Sequence, residues 1–256
     1  MSIGDKDLPV WMRPAPGERK PAYSRDQIVA TALAIADAEG FEAVSMRRIA
    51  TELGAGTMTL YHYIRTRDEL TALMGEAIMG EIVIPDDELP EGWREGMAEI
   101  ARRTRRIFTR HPWIMEHFDD EDGGPAGPNG LRHMEQSLAV AARSGLGSDA
   151  QLEIVALVDD YVIGHAMRAR GDEKMLEGVE GPAAERLEAM FAYLGSQLAT
   201  GEFPHLRAIA GDDMREAFFR VAYMNVDEQR FERGLAILLD GIELDIGRRA
   251  AAPVAD

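Results

Sequence analysis

The sequence predicts an all-helical chain, and three observations carry that prediction. Apolar residues recur at three- and four-residue spacing in segment after segment. No stretch alternates polar and apolar residues as a half-buried strand does, and Gly and Pro punctuate the boundaries between the periodic segments. With 256 residues, 46% of them hydrophobic, the chain can bury a sizeable core and is expected to hold a small domain followed by a larger one.

Taken in order, residues 1–22 carry Pro9, Pro14, Pro16 and Pro21 among mixed charges with no apolar run, which predicts a flexible arm and neither a signal peptide nor a membrane anchor. The first helix is expected from Ser24 to Glu39. Ser24 and Gln27 are spaced to cap each other's backbone donors, Ile28, Ala32 and Ile35 form one apolar row, and Val29, Leu33 and Ala36 form a second. Gly40 supplies the stop. A second helix is expected from Ser45 to Leu53, a third from Thr57 to Tyr63, and a fourth from Thr66, where Thr66 and Glu69 repeat the capping device, to about Ile82. Beyond these, helices are expected over Glu91 to His111, Pro112 to Phe118, Leu131 to Ser144, Ser148 to Arg170, Pro182 to Thr200, Asp212 to Tyr223 and Val226 to Arg248, with breaks at residues 85–90, 119–130 and 171–181. The domains are therefore read as an arm over 1–22, a small unit over 23–70 and a larger one over 71–250.

Gly54-Ala55-Gly56 joins the second and third helices too tightly for them to lie antiparallel, so they must cross steeply. That is a helix-turn-helix, whose second helix is free to enter a DNA major groove. On a wheel of about 100° per residue, Leu60 and Ile64, with Tyr63 and Thr57 at the margin, face the preceding helices. Met58, Thr59 and His62 face outward and Tyr61 sits at the edge. Thr, Met and His side chains can meet thymine methyls and base-edge acceptors, while the Tyr61 hydroxyl and the cations Arg47 and Arg67, each near a helix start, suit phosphates. The candidate DNA contacts are thus Arg47, Thr57, Met58, Thr59, Tyr61, His62 and Arg67, with Arg13, Arg19 and Lys20 as a loose additional arm.

The run from Tyr23 to Leu70 resembles the DNA-binding domain of the tetracycline-repressor (TetR) family of one-component bacterial regulators. The resemblance rests on Leu53-Gly54, Thr59-Leu60-Tyr61, the aromatic pair His62-Tyr63, Ile64, and Arg67 ahead of a capped helix. Gly56 stands where that family often has a capping Ser, and Met58 where a small residue or Pro is common, so no relative's base preference is carried over. The resemblance implies a three-helix DNA-binding domain plus a larger helical domain for ligand binding and dimerisation. It further implies a homodimer that binds a palindromic operator in double-stranded DNA and is released by a small-molecule effector, hence a repressor in the cytoplasm.

Two helices look built for a partner copy. Phe231, Leu235, Leu238, Ile242 and Ile246 make one apolar stripe, with Gly234 and Gly241 allowing close approach, and Leu152, Val155, Ala156, Val162, Ile163 and Ala166 make another. Either stripe can equally be monomer core; the resemblance favours the dimer, through Leu152, Val155, Val162, Phe231, Leu235, Leu238 and Ile242. Rings and thioethers in the middle of the larger domain suit an adaptable apolar pocket, with Trp113, Phe118, His133, Met134, Met167 and Phe191 as candidate ligand contacts and Asp159 or His165 as further polar anchors. A large domain answering to another protein is the alternative.

The formal charge of −17 argues against loose nucleic-acid binding, but its distribution is uneven. Residues 1–70 carry 9 Lys and Arg against 10 Asp and Glu, whereas the remainder carries 19 against 35. Other function classes have little support. The row Arg102, Arg103, Arg105, Arg106 and Arg110 reads as a solvated face. The acidic run Asp119 to Gly123 lacks a closing Glu for calcium, since Gly130 occupies that position. The six His show no ligand spacing, so no metal or cofactor is expected. A helical-bundle enzyme would need paired Glu-x-x-His motifs, and Glu202 to His205 holds Pro204 inside it. No nucleophile elbow, P-loop or dinucleotide fingerprint occurs, so no enzyme is expected.

Overall fold

The computed structural model describes residues 10–12, 23–116, 127–177 and 182–251, and among these there is no strand. The described residues form eleven α-helices in order: α1 (Arg25–Glu39), α2 (Met46–Leu53), α3 (Thr57–Leu60), α4 (Arg67–Ile82), α5 (Trp93–Arg110), α6 (Pro128–Ala142), α7 (Ser148–Glu177), α8 (Pro182–Ala199), α9 (Pro204–Ala210), α10 (Met214–Val226) and α11 (Glu228–Ala251). The chain forms two compact units, Met1–Leu157 and Val158–Asp256. No described helix is long and apolar enough to cross a membrane.

In the first unit α1 starts as its sequence dictates. The Ser24 hydroxyl accepts from the Gln27 N–H at 3.1 Å and the Gln27 side chain accepts from the Ser24 N–H at 2.9 Å, satisfying two of the donors a helix start leaves open. Both apolar rows are buried and seat α1 on α2 and α4. Helix α4 buries Leu70, Met74, Ile78 and Ile82, one residue per turn. Its opposite edge is fastened to α6 at two levels. The Glu76 carboxylate accepts the Asn129 and Gly130 backbone N–H groups at the start of α6, and the Asn129 amide returns a bond to the Glu76 carbonyl at 3.0 Å. Gly127, the residue before α6, has no side chain to cap with, and the Glu76 carboxylate takes that place from another helix. Farther along, Gln136 bonds both ways with the Ile84 backbone, at 3.0 and 2.7 Å.

Helix α5 buries Met97, Ile100, Ala101, Ile107 and Phe108 and turns its arginines outward. These are paired rather than free: Arg106 with Glu99 at 2.8 Å, Arg110 with Glu81 at 3.0 Å, and Arg103 with Glu88 at 3.7 Å and the Glu81 carbonyl at 2.8 Å.

In the second unit, Tyr161 of α7 lies over Phe231 of α11, ring centroids 5.4 Å apart, and donates to the Phe231 carbonyl at 2.8 Å. Gly234 is what admits the ring, because any Cβ there would strike the Tyr161 phenol. Phe191 of α8 meets Phe218 of α10 edge-on at 5.2 Å, and Arg215 lies over Phe191 and Phe219 while pairing with Glu188.

Several elements differ from expectation: α6 begins at Pro128, inside the expected 119–130 break, and Pro112–Glu116 is a 3-10 helix. Helix α7 runs through Gly171 to Glu177, where the sequence suggests a break, and α9 forms where none is expected, opened by Pro204 with no side-chain cap.

Candidate nucleic-acid interface

Helix α2 is capped by the Ser45 hydroxyl, which accepts from the Arg48 N–H at 3.1 Å, and it ends on Gly54 at φ +64°. That left-handed conformation, closed by the Ala55 N–H on the Ala50 carbonyl at 2.8 Å, turns the chain sharply into α3 and favours glycine. Gly56 opens α3 without a side-chain cap, and the regular helix is short. The track nevertheless continues to Ile64, because the last bonds tighten: His62 N–H to Thr59 at 3.3 Å, Tyr63 N–H to Leu60 at 2.9 Å and Ile64 N–H to Leu60 at 3.0 Å. Helix α3 is therefore shorter than the Thr57 to Tyr63 span expected, with a tight final turn in place of its last residues.

The two faces of this element separate cleanly. Leu60 and Ile64 are fully buried, whereas Met58 is 74% exposed, Tyr61 is 42% exposed and His62 is exposed. Thr57 and Thr59 are half-buried, so Thr59 presents less surface than the wheel suggests. The helix pair is also tied to the residues at the start of α1: the Tyr23 hydroxyl donates to the Leu53 carbonyl at the end of α2 at 3.2 Å, and the Arg25 guanidinium to the Tyr63 carbonyl after α3 at 3.1 Å.

The cations around this face divide into committed and available groups. Arg48 sits 2.7 Å from both Glu39 and Glu52, whose carboxylates hold it above its usual range and occupy it. Arg47 is exposed, as is Arg65, and among the described residues neither guanidinium is engaged in an ion pair. Arg65 is not among the candidates the sequence supplies, although its position directly after Ile64 marks it as close to the exposed face. Arg67 is anchored without being hidden: its guanidinium lies 5.3 Å over the Phe41 ring and 3.8 Å from Glu42, with about half its side chain in solvent. Arg13, Arg19 and Lys20 lie outside the described residues.

Behind the reading face stands a polar joint that local spacing could not reveal. Phe41 stacks on Trp113 at 5.3 Å, the Trp113 indole N–H donates to Asp37 Oδ1 at 2.8 Å, and His111 Nδ1 meets the same oxygen at 2.7 Å. His111 Nε2 lies 3.5 Å from Glu81, the carboxylate that also takes Arg110. Trp113, expected in a ligand pocket, is instead buried in this joint, because its ring and its N–H both find partners there.

Of the remaining pocket candidates, His133 and Met134 belong to the first unit and Met167 and Phe191 to the second. Met134 borders a groove with Val83, Leu89 and Leu131, Met167 is exposed on α7, Phe191 packs on Phe218 and Phe219, and Phe118 lies outside the described residues. His133 is half-buried on α6, its Nδ1 has no partner among the described residues, and burial pushes its imidazole below the ordinary value. His165 is buried against Tyr161 and Phe231. Among the described residues no group of three possible metal ligands occurs.

The expected dimer stripes are largely interior. Val155, Val162, Phe231, Leu235 and Ile242 are buried within the protomer, whereas Leu238 is half-buried and keeps part of its side chain in solvent. The period that marks the stripes identifies their core faces. Leu152, Ile237 and Leu244 are large apolar residues that these helices leave in solvent.

Comparison with known proteins matches two family models: residues 28–74 to bacterial regulatory proteins of the tetR family, and residues 85–246 to the tetracyclin repressor-like C-terminal domain. The chain is 32% identical over 237 residues, 93% of its length and 83% of the relative's, to the HTH-type transcriptional repressor DrrR1 of Streptomyces coeruleorubidus. Among solved structures it is similar to apo ActR of Streptomyces coelicolor, at 29% identity and TM-score 0.63, covering 91% of this chain and all of that one. It is likewise similar to ActR in complex with actinorhodin, at 32% identity and TM-score 0.64, covering 88% and 96%.

Proposed function

Because the chain belongs to the tetR family of bacterial regulatory proteins, we propose that it is a ligand-responsive, DNA-binding transcriptional repressor that works as a homodimer on a palindromic operator. The observation that carries this reading is the split of α3 and the tight turn after it into fully buried Leu60 and Ile64 and exposed Met58, Tyr61 and His62. A helix anchored on one side and bare on the other is what a major groove accepts. We assign base contact to Met58 and His62 with Thr57 and Thr59 beside them, and phosphate contact to Tyr61, Arg47, Arg65 and Arg67.

The reading domain spans 23–70 and the sensing and pairing domain 71–250. One α3 spans too few base pairs for useful selectivity, so two copies with a fixed half-site spacing are required. Pairing through α7 and α11 is supported by Leu152, Ile237 and Leu244, which those helices leave exposed. Release follows if a small hydrophobic effector binds one spacing of the two reading heads more tightly than the other, and the relative solved in complex with actinorhodin supports an effector-binding role for the larger domain. The acidic body keeps non-specific DNA affinity low, and the cytoplasm is the compartment where such a regulator meets its operator.

Selection from a pool of random duplexes at moderate ionic strength tests the reading. A two-fold repeated half-site should emerge, retained by a particle with twice the chain mass, and lost on Tyr61→Ala with the dimer intact. A pool that never enriches, or a strictly monomeric protein, overturns it.

A further inference from the structure

We propose that His111 and Asp37 form a positioning pair that sets the angle of the DNA-reading helices, so that half-site spacing is fixed by a hydrogen-bonded clasp rather than by α4 alone. The inference rests on the assignment of α2 and α3 as the reading helices and names what holds them.

His111 is 3% exposed, at the end of α5, where its own N–H closes on the Ile107 carbonyl at 2.9 Å. Its two ring nitrogens face carboxylates from two different helices: Asp37 of α1 at 2.7 Å and Glu81 of α4 at 3.5 Å. Asp37 is the hub, since the same oxygen also accepts from the Trp113 indole at 2.8 Å. Asp37 thus draws two donors from one short segment onto the last turns of α1, 74 residues away in the chain from His111. Phe41, the residue that follows α1 and Gly40, stacks on Trp113 at 5.3 Å and also has the Arg67 guanidinium 5.3 Å from its ring centroid.

Helix α4 joins head and body through the backbone and α1 packs on it through its apolar rows, yet non-directional packing leaves some freedom of rotation between them. A second attachment on α1, off the α4 axis, removes that freedom. Carboxylate and imidazole serve this purpose better than an apolar contact would, because a hydrogen bond specifies direction as well as distance. A buried donor that loses its acceptor is costly, so the clasp has two states, made or broken, with little between.

The test uses the full-length chain with His111→Phe and Asp37→Asn, singly and together. Amide hydrogen exchange over residues 33–44 should rise about ten-fold or more in each variant, and no further in the double variant, while exchange in α6 stays unchanged. On the duplex selected by the wild-type protein, an inserted base pair between half-sites should weaken wild-type binding by about ten-fold or more and the variants by less than about three-fold. Unchanged exchange over 33–44, an equal rise in α6, or variants as intolerant of the insertion as the wild type each overturn the clasp. Asp37 is only partly buried, so Asp37→Asn keeps the test decisive if His111→Phe does not fold. Should the wild type select no duplex, the DNA-reading assignment falls, and the exchange result still decides whether the pair holds α1.

Discussion

Arg67→Ala separates binding to a phosphate from packing within the protein, because the structure bounds what Arg67 can contribute to each. Its ion pair with Glu42 is long, at 3.8 Å, and Glu42 is almost wholly in solvent, which places the pair at about 0 to 1 kcal/mol. Its guanidinium over Phe41 adds about 0.5 to 1 kcal/mol at an exposed site. The substitution should therefore lower unfolding stability by no more than about 2 kcal/mol and leave the helical signal intact. Its effect on DNA is of another kind. Taking one phosphate-binding cation away from each protomer changes the slope of log affinity against log salt by about 0.9, or about 1.8 for the dimer. Between about 50 and 200 mM salt the gap between wild type and variant should then narrow about twelve-fold. Titrating the selected duplex across that salt range by fluorescence anisotropy measures it. Parallel salt plots for the two proteins would refute the assignment and leave Arg67 as a cover for Phe41.

Two further predictions follow from burial and charge. Leu60→Ala should cost about 2 to 5 kcal/mol in urea unfolding, since that side chain is fully enclosed, whereas Met58→Ala should stay within about 0.5 kcal/mol and instead relax base preference in the half-site; similar unfolding midpoints for both would contradict the two-faced helix. Burial, with the Asp160 carboxylate second, raises Asp159 from 3.8 to about 6, so the folded protein keeps a proton that the unfolded chain releases as pH rises from about 4 to 6. Stability is lost over that window on raising pH, and Asp159→Asn should recover up to about 3 kcal/mol at neutral pH. Taking the difference between parent and variant cancels the opposing contribution of His133, and an identical slope between about pH 4 and 6 would sink the idea.

Much of the fold is legible because the signals are local. Ser24 with Gln27 and the paired rows of α1 declare themselves within a few residues and the structure seats them accordingly, while Thr66 caps α4 as expected but the Glu69 carboxylate accepts from the Arg65 N–H at 2.8 Å. The buried and bare sides of α3 follow from the same periodicity, though not its length, which depends on where the helix tightens after Leu60. Periodicity cannot say which surface a stripe meets, so Phe231, Leu235 and Ile242 signal burial without revealing that the protomer itself provides it. Helix α9 lacks a cap and shows mostly exposed side chains, leaving little pattern to detect. The Asp37, His111 and Glu81 contacts join positions far apart in sequence with no spacing rule between them. Arg65 is the exception, a local feature eclipsed by the more regular placement of Arg67 at a helix start.

The borrowed carboxylate of Glu76 has a consequence for the order in which the molecule assembles. A helix whose opening turn depends on an acceptor from elsewhere is a weak nucleus in isolation, so α6 should gain persistent structure only once α4 is in place. During synthesis the acceptor emerges from the ribosome 53 residues ahead of the amide it will receive. The growing chain thus makes the mould before the casting, and the earlier helix acts as a template on which the later one sets.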